Sequence, residues 1–176
     1  MCYPVSSIGS HVSVVPNHQL NRKTPLHTRA NVAYFGTFGY ELDLNKLSDE
    51  EISEVKQQIT FMKEYRELIQ FGTFYRLKSP FEGNETAWMT VSEDKKTALV
   101  FWYRERNVVN ADFTRVRLQG LDPDLIYRNE YNETENYGDE LMNLGLLTTD
   151  CTAGEPTSED EPCTDYESRI YVLTAK

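Results

Sequence analysis

The spacing of apolar residues divides the chain into two regions of different period. Residues 3–15, YPVSSIGSHVSVV, are β-rich and stop at Pro16, and the polar run NHQLNRK after it marks a loop. A helix is predicted from Thr24, with Pro25 at its first position, through Leu26, Ala30, Val32, Ala33 and Phe35 to Gly36. FGYELDL, residues 38–44, then alternates like a strand. Ser48 followed by Glu51 makes a capping box, with Leu47 placed to staple onto Ile52. Apolar residues at 52, 55, 59, 62, 65, 68 and 69 carry a long amphipathic helix to Gly72.

From residue 73 the period becomes strand-like: TFYRL, TAWMTVS, TALVFWYR, FTRVRLQG, LIYRNEY and SRIYVLTA, punctuated by SPFEGNE, SEDKK and GLDPD. SEDKK between two apolar runs is a hairpin signal. The expected fold is therefore α/β followed by all-β. Residues 1–71 read as two βα units, and residues 72–176 as a small antiparallel β-sandwich. Two βα units neither close a barrel nor bury both faces of a parallel sheet, so further strands are expected from elsewhere.

Composition refines this picture. Across 176 residues, 39% are apolar, but 11 Tyr, 8 Phe and 2 Trp supply core-forming area that disordered chains lack. The net charge of −10 is local: residues 1–121 hold 14 acids and 15 bases, whereas residues 122–167 hold 14 acids and one base, Arg128. With no basic face to neutralise phosphates or anionic lipid, neither nucleic acid nor membrane is expected as a partner. The opening residues lack the charged and apolar regions of a signal peptide, which predicts a soluble, cytoplasmic protein. Cys2, Cys151 and Cys163 have no partners at zinc spacing and are read as thiols, although the last two stand where one small loop would close under oxidising conditions. The DCTAGEPTSEDEPCTD stretch at 150–165 reads as a solvated acidic loop, and the N-x-T sequons at Asn84 and Asn132 matter only after secretion.

Candidate chemistry is sparse. GSHVSVVPNHQ at 9–19 puts His11, His18 and several polar side chains after a predicted strand, where barrel enzymes build their sites. The plainer reading is that these groups satisfy backbone in a long loop. His27, on the predicted helix, reads as structural. Glu41 and Asp43 share a strand face at about 7 Å, the equipment of glycoside hydrolysis, although a strand end and an ion pair account for them more simply. Trp88, Trp102 and Tyr103 would serve as a sugar-stacking platform or, more simply, as core. YGDE at 137–140 lacks the chelating alternation of a calcium loop. No phosphate, dinucleotide, zinc or serine-hydrolase motif occurs, so no cofactor and no metal are expected.

YPVSSIGSHVSVVPNHQLNRKTPLHTRANVAYFGTFGYELDLNKLSDEE, FYRLKSPFEGNETAWMTVS, LQGLDPDLIYRNEY and YGDELMNLGL, in that order, resemble the C-terminal part of α-galactosidases of glycoside hydrolase family 36. The resemblance implies that residues 3–8, 24–35, 38–44 and 48–70 are strand 7, helix 7, strand 8 and helix 8 of a (β/α)8 barrel, followed by a C-terminal β-sandwich. It implies retaining hydrolysis of α-galactoside oligosaccharides through an aspartate nucleophile and an aspartate acid/base. The motifs that carry those two aspartates are absent here, so no catalytic residue is assigned and this chain alone is expected to be inactive. Ser10, His11 and Ser13 are expected as substrate-binding groups of the galactose-pocket wall. The missing N-terminal part of the barrel and copies of the parent in a homo-oligomer are the expected protein partners. The alternative is an autonomous carbohydrate-binding or structural β-sandwich.

Overall fold

In the computed structural model, residues 3–108, 113–148 and 165–176 are described. All three cysteines, and residues 150–164 of the expected acidic loop, lie outside them. The chain forms two compact units, residues 1–72 and 73–176.

The first unit contains β1 (Val12–Ser13), α1 (Leu26–Ala33), β2 (Tyr40–Glu41) and α2 (Asp49–Phe71). β1 and β2 run parallel, with Val12 opposite Tyr40 and Ser13 opposite Glu41. Residues 3–8, expected as a strand, instead hold a 3-10 turn at Val5–Ser7. There the Ser7 hydroxyl and N–H both donate to the Pro4 carbonyl, at 2.8 and 3.0 Å. A serine side chain offers the backbone this local alternative to a ladder. The expected strand at 38–44 shrinks to two residues for a similar reason. Asp43 caps a 3-10 turn over Leu44–Lys46 by accepting from the Asn45 N–H.

α2 forms as its pattern demands. The Ser48 hydroxyl accepts from the Glu51 N–H at 3.2 Å and the Glu51 carboxylate accepts from the Ser48 N–H at 2.9 Å, so two otherwise orphaned donors are satisfied. Val55, Met62 and Ile69 are buried along one stripe, and Gln58 is buried with them. Its amide donates to Glu54 at 2.7 Å and accepts from the Tyr40 hydroxyl at 2.8 Å. Tyr34, Phe38, Tyr40, Phe61 and Tyr65 form a chain of ring contacts, with adjacent centroids 4.8–5.4 Å apart.

The second unit is built on six strands, β3 (Thr73–Lys78), β4 (Glu85–Val91), β5 (Thr97–Arg104), β7 (Ile126–Asn129), β8 (Glu135–Tyr137) and β10 (Glu167–Ala175). They form one antiparallel sheet in the order β3-β4-β5-β10-β7-β8. The SEDKK hairpin closes as expected: the Ser92 hydroxyl accepts from the Thr97 N–H at 3.0 Å, and Asp94 accepts from Ser92 and from the Lys96 N–H.

Among the described residues, the covering layer is not a second full sheet. It is the two-stranded ribbon β6 (Arg115–Val116) with β9 (Leu146–Leu147), the helix α3 (Gly138–Asn143), and Leu118 and Leu121 between them. Ala87, Met89, Trp102, Tyr171 and Leu173 from the sheet meet Val116, Leu141 and Leu146 from this layer. Trp102, Tyr127 and Tyr171 are each at most 1% exposed. Aromatics of this kind remove about 150–250 Å² each from water, about 4 kcal/mol or more at 25 cal/mol/Å². Gly138 is required at the start of α3 because a Cβ there would run into the Asp122 carbonyl.

Candidate functional site

Ser10, His11 and Ser13, expected to follow a strand at 3–8, do different things: Ser10 and His11 precede β1, and Ser13 ends it. The Ser10 hydroxyl donates to the Ala33 carbonyl at 2.5 Å and accepts from the Phe38 N–H at 3.2 Å, so it ties the end of α1 to the entry of β2. The chain at Gly36 passes so close that a Cβ would overlap this hydroxyl and the Ile8 carbonyl. Ser10 thus holds backbone, and holds in place the residue that follows it.

His11 places Nε2 2.7 Å from Oε2 of Glu41, joining the residue just before β1 to the last residue of β2. Both side chains are at least half exposed. Ser13 ends β1 opposite Glu41, and its carbonyl accepts from the Arg29 guanidinium at 2.5 Å, while Arg29 Nε donates to Thr24 at 3.0 Å. Partial burial loosens the hold of Arg29 on its proton, and Glu51 and Glu54 oppose that. One arrangement therefore brings together Ser10, His11, Ser13 and Glu41.

His18 and His27 stand outside it, both exposed. His18 lies in a loop that Asn17 closes by accepting from the N–H groups of Gln19 and Leu20 at 3.0 and 3.1 Å. Glu41 and Asp43 do not form a carboxylate pair. Asp43 accepts from the Asn45 backbone and side chain, and those bonds hold its carboxyl below the usual range. Tyr34 and Tyr40 lie behind the site, and burial raises both phenols, Tyr40 to about 12.

Trp88, Trp102 and Tyr103 do not share one face of the sheet, and Trp102 belongs to the core, the simpler of the two readings. Register places Ala87 opposite Trp102 and Trp88 opposite Phe101, so Trp102 faces the core side of the sheet and Trp88, with Tyr103, faces the other. Trp102 is fully buried. The YGDE run opens α3, and among the described residues no three His, Cys, Asp or Glu side chains are grouped to hold a metal ion. Among the same residues, no helix is long and apolar enough to cross a membrane.

The second unit has a feature that sequence reading missed. Glu85, Arg104 and Glu167 lie in one row across β4, β5 and β10. Glu167 ion-pairs with Arg104 and Arg169, Glu85 pairs with Lys78 and accepts from the Thr114 hydroxyl at 2.9 Å, and both guanidiniums stand within 5.5–5.8 Å of the Trp102 ring centre. Beside this row is a cavity of about 510 Å³ lined by Lys78, Ser79, Asn84, Glu85, Arg104 and Thr114 among others. The only signal for it in sequence is a charged residue at the end of each of three apolar strands.

Comparison with known proteins adds what the geometry alone does not give. Residues 1–72 match the model of the Melibiase family, and residues 85–173 match that of the glycosyl hydrolase family 36 C-terminal domain. Alpha-galactosidase AgaA of Geobacillus stearothermophilus is 51% identical over 146 residues, covering 83% of this chain and 20% of that protein. The bifunctional alpha-galactosidase/sucrose kinase AgaSK of Mediterraneibacter gnavus is 46% identical over 144 residues, covering 82% of this chain and 15% of the relative. Among solved structures, a family 36 alpha-galactosidase AgaA from Geobacillus stearothermophilus superposes with a TM-score of 0.87 at 46% identity. The alpha-galactosidase from Lactobacillus brevis does so with 0.88 at 43%, and each superposition covers 99% of this chain and 23% of the other. The chain spans about a fifth of the length of these relatives.

Proposed function

Because the chain belongs to glycosyl hydrolase family 36, we propose that it is the C-terminal fifth of a retaining α-galactosidase acting on terminal α-galactosyl groups of melibiose- and raffinose-type oligosaccharides in the cytoplasm. The observation that carries this reading is the order of the two matches, Melibiase over residues 1–72 and then the family 36 C-terminal domain over residues 85–173. In this account residues 1–71 are the last two βα units of the (β/α)8 barrel, and residues 72–176 are its C-terminal β domain. The parallel pairing of β1 with β2, with a helix between them, supports that assignment, since parallel neighbours need such a crossover.

Barrel enzymes present substrate-binding groups at the C-terminal ends of their strands. Ser13 and Glu41 end β1 and β2 in register, and His11 reaches Glu41. Ser10, His11 and Ser13 then form part of the galactose-pocket wall: Ser10 fixes the backbone, and His11, oriented by Glu41, presents its ring to sugar hydroxyls. The chemistry falls to two aspartates carried by the rest of the parent. One attacks the anomeric carbon while the other protonates the departing glycosidic oxygen, and water then releases galactose as the second aspartate takes back a proton. Such a pair works at about 5–5.5 Å, and this chain supplies neither member, so alone it hydrolyses nothing.

The test is a chimera in which residues 1–147 replace the matched stretch of the Geobacillus enzyme. It is expected to hydrolyse a nitrophenyl α-galactoside, and His11→Ala in it to raise KM about fivefold, the worth of one hydrogen bond. A folded but inactive chimera overturns the functional assignment, and an unchanged KM removes His11 from the pocket wall.

A further inference from the structure

Among the described residues, all those lining the cavity beside the Glu85–Arg104–Glu167 row belong to the second unit, and the proposed hydrolysis makes no use of it. At about 510 Å³ it lies within the range of small-molecule sites, roughly 300–1,000 Å³.

Its charges cancel. Among the described lining residues two bases, Lys78 and Arg104, stand with two acids, Glu82 and Glu85, and Lys78 is paired with Glu85 and Arg104 with Glu167 behind it, so net charge favours neither an anion nor a cation. Hydrogen-bonding capacity remains. Lys78 has three N–H donors and uses one on Glu85; the Glu85 carboxylate accepts from Lys78 and Thr114 with lone pairs to spare; Ser79 accepts from the Phe81 N–H and keeps its hydroxyl proton. A ligand that matches this set is neutral and carries groups that donate and accept at once. Leu77 and Val108 complete the lining with apolar surface. The turn that supplies Ser79, Glu82 and Asn84 also carries Phe81, 95% exposed. A ring this exposed, on the turn that supplies part of the lining, is free to offer a face to the C–H side of a sugar ring.

We propose that this cavity is an accessory carbohydrate-binding site for a mono- or disaccharide unit, with Lys78, Glu85 and Ser79 bonding its hydroxyls and Phe81 stacking on it. A second site of this kind raises the local concentration of an oligosaccharide at the protein surface.

The test is a titration of the 15N-labelled 176-residue chain with galactose, raffinose and inorganic phosphate, followed at backbone amides. Saturable shifts at Glu85, Asn84 and Thr114 with either sugar are expected at millimolar affinity, and none with phosphate. Val108→Trp, at a half-exposed position, is expected to fill the cavity and abolish the shifts. Phe81→Ala, at a position where the fold has little to lose, is expected to weaken binding about fivefold. Sugar-induced shifts confined to residues 10–13 would support the pocket-wall reading and overturn this one. So would shifts that persist in Val108→Trp, an affinity unchanged in Phe81→Ala, or phosphate acting at the same amides.

Discussion

Replacing Glu167 with glutamine keeps the shape of the side chain and removes its charge from between two guanidiniums. Glu167 is 16% exposed, Arg104 7% and Arg169 14%. Both cations also face the Trp102 ring, so the variant leaves two positive charges close together in a site with little water. Removing one partner of a buried pair costs about 3–5 kcal/mol. Arg169 retains the Thr148 carbonyl at 3.3 Å as an acceptor, so the lower end of that range, about 3 kcal/mol, is expected. Urea unfolding followed by tryptophan fluorescence reads this directly, because Trp102 lies under both cations. At an m-value of about 2 kcal/mol/M, the midpoint falls by about 1.5 M. The triple variant Arg104→Met, Glu167→Leu and Arg169→Met, which removes the triad as a unit, is expected to recover most of the loss. A Glu167→Gln midpoint within 0.3 M of the parent would refute the reasoning, at the resolution of about 0.5 kcal/mol implied by that slope.

Ser48→Ala removes one half of the capping box of α2 and is expected to cost about 1 kcal/mol, read by far-ultraviolet circular dichroism during urea unfolding. Gly138→Ala drives a Cβ into the Asp122 carbonyl and is expected to cost more than about 2 kcal/mol, visible as a lowered Tm. For Tyr40 the folded value, about 12, lies above the unfolded value of 10.0. Its stabilising contribution is therefore complete below pH 10 and lost as pH rises toward 12. A titration of tyrosinate absorbance should show late ionisation that moves to about pH 10 in denaturant, and a titration unchanged by denaturant would contradict the burial of Tyr34 and Tyr40.

What could be read from sequence was what is local. α2 was legible because its cap, first-turn acids and apolar stripe all lie within one segment. β4, β5 and β10 were legible because their buried residues make long apolar runs. β1 and β2 were read as longer strands than they are, since strand length depends on partners, and among the described residues these two pair only with each other. Among the described residues, the eight-residue run FTRVRLQG is a strand only at Arg115–Val116. α3 had no signal: six residues beginning with glycine carry no period, and Leu141 in the core fixes their place. At the candidate site, the sequence places Ser10, His11 and Ser13 after a strand at 3–8, whereas Ser10 and His11 precede β1 and Ser13 ends it. The ion pair expected of Glu41 is made, but with His11 rather than a helix residue, because the parallel register that brings the two together is a tertiary fact. The charged row Glu85–Arg104–Glu167 is invisible for the same reason, its members being up to 82 positions apart in the chain.

The central claim is that this chain is the C-terminal part of a family 36 α-galactosidase whose two catalytic aspartates lie elsewhere. Hydrolysis of a nitrophenyl α-galactoside, measured for the purified 176-residue chain alone and for the chain co-expressed with the remaining N-terminal part of the Geobacillus enzyme, tests it most directly. The account predicts no release of nitrophenol above a vector control for the chain alone, and activity when the two parts are present together. Turnover by the chain alone would contradict it.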